Sequence, residues 1–360
     1  MFNLTTYPHL VGLFSELGVE SERSDMSFAL STDDVEWGSL GLKAVFAQKK
    51  NLVSPSFLNM IREILKFGKR APEVLDPSKS AKYESMTLGE YLTTNGYSKF
   101  FIDNYVVPMC AAIWSCSDRD TMAFPVTTLI RFWVNHHLLN IIERPLWRVV
   151  KGRSKAYVDA VCAALPDVRT STPVIAVERV PGGVKVTHAP GGPGGKPSSE
   201  MFEDVVFACH SDQALAILGD AASSAEKAAL GAIKYQPNEV YLHGDESLMP
   251  RNRDAWASWN CLKGSRGCDS DDKSVCVSYW VNLLQNLPEG TPDLFVTLNP
   301  PKPPSKESTQ YHVTLAHPLF NKEAIAAQKT IEGLQGSGGV WVCGAWCGYG
   351  FQEDGMRSAV

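Results

Sequence analysis

The segment from Val340 to Val360 places residue types at a spacing that suits the binding of an anion or a cofactor. It opens with an apolar, strand-like run, Val340–Trp341–Val342–Cys343, and a small-residue turn at Gly344–Ala345. A glycine-rich loop through Gly348 and Gly350 leads to the acidic pair Glu353–Asp354, and a helix is predicted to start after Gly355. Strand, glycine turn and helix start together bring bare backbone N–H groups up to an anionic ligand. The alternative is a structural glycine turn with no ligand.

Elsewhere the residues able to do chemistry are scattered. Trp114, Trp256, Trp259, Trp280 and Trp346 are candidates for lining a substrate channel, against the plainer reading of core packing. His136–His137, on an apolar helix, reads as a satisfied or surface pair rather than a base. His210 follows an apolar strand and reads as a turn residue. The nine cysteines include no C-x-x-C pair and no zinc-like spacing, so no metal site is expected. They read as buried free thiols of a reducing compartment.

Positioning such residues takes more than one core. A chain of 360 residues predicts two domains, and 44% hydrophobic with 20% charged residues is the balance of a soluble globular protein. A net charge of −5 gives no electrostatic reason for nucleic-acid binding. No signal peptide opens the chain, and no apolar run reaches the roughly 18–20 residues that span a bilayer.

The periodicity predicts helices over 10–17, 40–46 and 55–67, the last with Phe57, Leu58, Ile61, Ile64, Leu65 and Phe67 on one face and Glu63 opposite. Residues 71–85 read as a loop, and Thr87 with Glu90 is a capping box opening the next helix. Residues 97–112 read as helical with an interruption at Pro108, and 125–140 as a further helix. Residues 40–145 are therefore mostly helical, suited to lining an apolar substrate or to ordinary core. Strands are predicted at 26–30, 174–178, 183–188 and 202–209, then at 239–243, 257–262, 275–281, 294–298 and 310–315. Helices are predicted at 156–165 and 322–334.

Several stretches taken together resemble one family. F-N-L-T-T-Y-P (2–8), S-D-M-S-F (24–28), Y-W-V-N-L-L-Q (279–285), V-T-L-N-P (296–300), A-H-P-L-F (316–320) and G-Y-G-F-Q-E-D-G-M-R-S (348–358) are similar to motifs of the flavin-containing amine oxidase and phytoene desaturase superfamily. The nearest resemblance is to its branch of NAD/FAD-binding oxidoreductases linked to cyclopropane fatty acid synthases. The resemblance implies an α/β fold with an α+β substrate part: a Rossmann-like FAD domain, incomplete here, interleaved with a substrate domain. The implied division is 1–21 as a remnant of the FAD domain, 22–145 as a helical substrate-domain insertion, 146–222 as an FAD-binding segment, 223–335 as the substrate-domain sheet and 336–360 as the C-terminal FAD-binding segment.

The cofactor implied is FAD, and the residues matching cofactor-binding positions are Pro173, Val174, Ile175, Gly344, Ala345, Asp354, Gly355 and Met356. The first three would meet the adenosine part. The others would meet the flavin and its ribityl–pyrophosphate chain, with N–H groups near Gly355–Met356 opening a helix toward the flavin. Ala345 stands where many amine oxidases have an acidic residue, and Gln352 where relatives often have His. Tyr279 and Asn282 would lie near the flavin. No catalytic residue is assigned, because hydride transfer needs position and a dry pocket rather than a fixed triad.

No G-x-G-x-x-G follows a strand, and Gly191–Gly195 reads as a hairpin loop. The resemblance therefore implies a chain that starts after a βαβ unit on the order of 30–60 residues long and stops within its last cofactor-contacting helix. The expected activity is FAD-dependent removal of a hydride from a C–H bond of an apolar substrate, a fatty acyl chain among the options. The alternatives are an amine oxidase acting on a C–N bond and a non-catalytic fragment that has lost FAD. The expected partner is a small or lipid-like molecule, with peripheral membrane contact left open. The expected location is cytoplasmic or organellar.

Overall fold

The computed structural model describes residues 1–140, 145–267 and 275–360, so Cys268 of the predicted thiols lies outside the described residues. The strands are β1 (Phe2–Asn3), β2 (Ser21–Arg23), β3 (Phe28–Ser31), β4 (Glu36–Gly38), β5 (Trp147–Val150), β6 (Val174–Val180), β7 (Gly183–His188) and β8 (Ser198–Phe202). They continue with β9 (Val205–Phe207), β10 (Tyr235–His243), β11 (Trp259–Leu262), β12 (Cys276–Trp280), β13 (Phe295–Leu298), β14 (Thr309–Pro318) and β15 (Val340–Val342).

One compact unit comprises Met1–Thr6, Ser21–Val149 and Gln236–His317. Its seven-stranded sheet has the order β14-β10-β13-β12-β11-β3-β4. β11 pairs antiparallel with β12 and parallel with β3, which joins residues more than two hundred positions apart. Ala29, Leu30, Cys261, Leu262, Val277 and Phe295 are fully enclosed. A smaller sheet, β1-β5-β2, completes the strands of this unit.

The helical part of this unit follows the sequence reading in outline, with corrections: residues 71–85, expected as a loop, form 3-10 turns at Ala71–Leu75 and Pro77–Lys79 and a helical turn at Ser80–Tyr83. Helix Pro55–Arg70 is capped by Ser54, whose Oγ accepts from the Phe57 N–H at 3.3 Å, and it buries Phe57, Met60, Glu63 and Phe67. Leu58 and Leu65, expected on the apolar face, are exposed instead. Glu63 turns inward because its carboxylate accepts from the Ser98 N–H at 2.7 Å and from the Ser98 hydroxyl. Pro108 lies inside a continuous helical run, Lys99–Trp114, and the interruption expected there takes the form of a π-helical turn over Ile102–Val106 just before it, which accommodates the missing N–H. The Thr87–Glu90 capping box forms, with reciprocal bonds of 2.8 and 3.2 Å.

The second unit comprises Tyr7–Glu20, Val150–Tyr235 and Pro318–Val360. It holds the antiparallel sheet β6-β7-β8 and the parallel pair β9–β15. The strand predicted over 202–209 is in fact two pieces: Phe202 ends β8, a turn at Glu203–Asp204 intervenes, and β9 starts a different sheet. Val177, Val184, Phe207, Leu230, Ile331 and Trp346 belong to the core that ties these sheets to helices Ser224–Ala232 and Lys322–Glu332.

Candidate functional site

The glycine-rich C-terminal loop is built by β15 and helix Gln352–Ser358, both in the second unit. β15 is held in register by β9, and the Cys343 N–H donates to Phe207 O at 2.9 Å. The chain then turns at Gly344, whose φ of 156° and lack of a side chain are both required: a Cβ there would lie 2.5 Å from Trp346 Nε1. The Trp346 indole is fixed in turn by donating to Cys209 O at 2.9 Å. Trp346 is therefore core, not channel lining.

The helix begins at Gln352, four residues earlier than its sequence reading. Gly355 is inside it, and its N–H donates to Phe351 O at 3.1 Å. The N–H groups of Gly355 and Met356 therefore do not open the helix. Asp354 supplies the missing signal, accepting from the Phe351 N–H at 3.1 Å and bonding the Tyr349 backbone. Its carboxyl is pushed above the usual carboxylate range, chiefly by burial, against the opposing pull of these bonds and of Arg357. The Gly348 and Gly350 N–H groups both turn back to Ala345 O, at 3.1 and 3.0 Å. The loop thus turns the N–H groups of Cys347, Gly348 and Gly350 back on itself and is not an open anion cradle.

What it leaves accessible is a narrow seam. Gly355 packs on the backbone of Gly344–Ala345, close enough that a Cβ would sit 3.4 Å from Ala345 N. Ser358 Oγ accepts from the Gly344 N–H at 2.9 Å and braces the turn. The Ala345 N–H donates to no acceptor among the described residues. Gly344, Ala345, Asp354, Gly355 and Met356 are thus brought together. Pro173, Val174 and Ile175 lie in the same unit at the start of β6, where the Ala189 N–H donates to Pro173 O at 2.9 Å and Val174 and Ile175 are exposed. Among the described residues, no hydrogen bond joins these three to the C-terminal loop.

In the first unit, the aromatic residues separate by role. Trp114 and Trp256 are buried, the latter donating to Pro250 O at 2.8 Å. Asn282 spends its side chain on a turn, donating to Thr291 O and Pro292 O and accepting from the Leu294 N–H. His136 is buried, with Nδ1 3.0 Å from Phe132 O. Trp259 and Tyr279 are different. They face each other across β11 and β12 with ring centroids 4.8 Å apart and planes at 88°. Trp259 Nε1 is buried with no acceptor among the described residues, and both residues are only partly buried. Sequence reasoning named both residues but not the pairing, which only the sheet register reveals.

A cleft of about 710 Å³ also lies in this unit, but it is walled by ion pairs, Lys99–Asp103 at 2.6 Å and Lys263–Asp118 at 2.5 Å. Such a lining suits a polar occupant rather than an apolar chain. No group of metal-ligating side chains exists among the described residues, and none of their helices is long and apolar enough to cross a membrane.

This architecture is that of the amine oxidases and their relatives. A redesigned putrescine oxidase superposes with a TM-score of 0.61 at 11% identity, covering 99% of this chain and 84% of its own. Cyclohexylamine oxidase from Brevibacterium oxydans gives 0.61 at 12%, covering 98% and 83%. A fatty acid isomerase from P. acnes that produces CLA gives 0.59 at 11%, covering 98% and 82%. No family model and no curated protein matches the sequence.

Proposed function

We propose that this chain is a flavin-dependent oxidoreductase that removes a hydride from a C–H bond of an apolar substrate, a fatty acyl chain being the favoured class. The observation that carries this is the shared fold, which extends over 98–99% of the chain and includes enzymes named for oxidation and for fatty acid isomerisation. FAD would supply the electron sink. Among the described residues the Ala345 N–H is unspent and is offered to such a group, while Gly344 and Gly355 let the Trp346 indole and the Gly344–Ala345 backbone pack closely around it. Asp354 and Met356 hold the seam from within the helix, and Pro173, Val174 and Ile175 would take the adenosine end. The chain's own residues in the second unit contribute a preformed backbone edge at Gly344–Ala345.

The test is the visible spectrum of the purified protein. Flavin bands, present as isolated or gained on adding FAD, are the expected result. A protein that stays colourless with excess FAD overturns the proposal and leaves a non-catalytic chain. Two of the neighbours are named for amines, so C–N oxidation is the second reading. Anaerobic bleaching of the bound flavin by putrescine or cyclohexylamine, and not by acyl substrates, would select it.

A further inference from the structure

Trp259 and Tyr279 are Cα partners across β11 and β12, so both side chains stand on one face of the sheet, and Phe28 of β3 joins them there opposite Trp259. The Trp259 Nε1–H is enclosed and has no acceptor among the described residues. The Tyr279 hydroxyl likewise forms no hydrogen bond among the described residues. Burial drives the Tyr279 phenol far above its usual range, and among the described residues the titratable group acting on it is Cys261, itself an uncharged thiol that burial raises to about 12. The pair is thus uncharged and partly accessible, with a buried indole N–H and a phenol hydroxyl both unspent among the described residues. By contrast Ser278 and Thr297, which are fully buried, bond each other at 2.7 Å.

Resting on the reading of the function given above, we propose that Trp259 and Tyr279 form a subsite that hydrogen-bonds an uncharged carbonyl, the ester-type carbonyl of an acyl chain. The chemistry selects this group. An indole N–H only donates, so the ligand atom must accept, and an ammonium cannot satisfy it. A free carboxylate would enter a site with no charged partner and lose its hydration uncompensated. An ester, thioester or amide oxygen accepts from both donors without carrying charge.

The experiment measures binding of methyl octanoate, octanoate and octylamine to the purified full chain at pH 8, with its flavin absorbance recorded in the same sample. The expected result is ester affinity at least about tenfold above acid and amine. Trp259→Phe and Tyr279→Phe should each lower ester affinity by roughly three- to tenfold while keeping the far-ultraviolet spectrum. In the native protein, the ¹⁵N-indole resonance of Trp259, assigned by its loss in Trp259→Phe, should shift with the ester and not with the amine. Equal affinities, an acid or amine preference, an unmoved indole resonance, or variants that bind the ester as tightly as the native chain would overturn the subsite. Absence of flavin in the same sample would count against the oxidoreductase reading alone.

Discussion

Two glycines show how opposite effects follow from one substitution. At Gly344 a Cβ meets the Trp346 indole at 2.5 Å, and that indole cannot retreat without losing its bond to Cys209 O. Gly344→Ala should destabilise the chain by about 1–3 kcal/mol. Gly12, within helix Pro8–Glu16, has open space where a Cβ would stand, with nothing within 4 Å, and Gly12→Ala should stabilise by roughly 0.5–1 kcal/mol. Urea unfolding of both variants checks the signs. A second residue makes stability depend on pH. His243 is held neutral in the sheet: the Asp245 N–H donates to its Nδ1 at 3.0 Å, so its Nε2 donates to Thr297 Oγ1 at 2.7 Å. Burial lowers its pKa. The unfolded chain, with histidine near ~6.5, therefore takes up the proton first, and stability rises with pH. The contribution is complete above about 6.5 and is lost as the pH falls toward the folded value. Asp245, also lowered, acts only below roughly 3.8. Urea midpoints between pH 8 and 5 should fall for the native protein and fall less for His243→Asn.

At the scale of elements, helix Pro8–Glu16 has no side-chain cap of its own: Tyr7 accepts from the Val11 N–H through its carbonyl but gives no side-chain oxygen to the first N–H groups. Glu353, on helix Gln352–Ser358 of the same unit, takes that place: its two carboxylate oxygens accept from the His9 and Leu10 N–H groups, each at 3.0 Å. Glu353→Ala should cost about 1–2 kcal/mol, as loss of a helix cap does, and Glu353→Gln less, measured by thermal unfolding. The acidic pair was legible in the sequence; its use was not. Glu353 serves a partner 344 positions away in the chain, and Asp354 closes a local capping box that moves the helix start ahead of Gly355. The Thr87–Glu90 cap was legible because all of its atoms are local. The apolar face of Pro55–Arg70 was legible only in part, because Ser98 draws Glu63 inward from outside the helix. The same limit applies to the candidate site: glycines at 344 and 355 mark a close approach in the sequence, whereas the Trp259–Tyr279 pair exists only through strand register.

For the molecule as a whole, the α/β architecture was implied by the family resemblance of the motifs, but the parallel pairing of β11 with β3 could not be read from the sequence. That pairing makes the first unit discontinuous. β3 and β4 belong to the same seven-stranded sheet as β10 to β14, yet the residues between them include most of the second unit. Ala29 and Leu30 of β3 are wholly buried, so removing that strand exposes the flank of β11 along Trp259–Leu262 and leaves its backbone groups unpaired. A fragment comprising residues 236–317 retains five of the strands but should lack a cooperative urea transition. Adding residues 21–149 as a separate chain should restore one, because the pairing needs contact and not covalent continuity. Circular dichroism against urea for the fragment, the partner fragment and their mixture reads this directly. A cooperative transition in 236–317 alone would mean that β11 can serve as a sheet edge. It would also mean that long-range pairing with β3 is not what holds the Trp259–Tyr279 face in register.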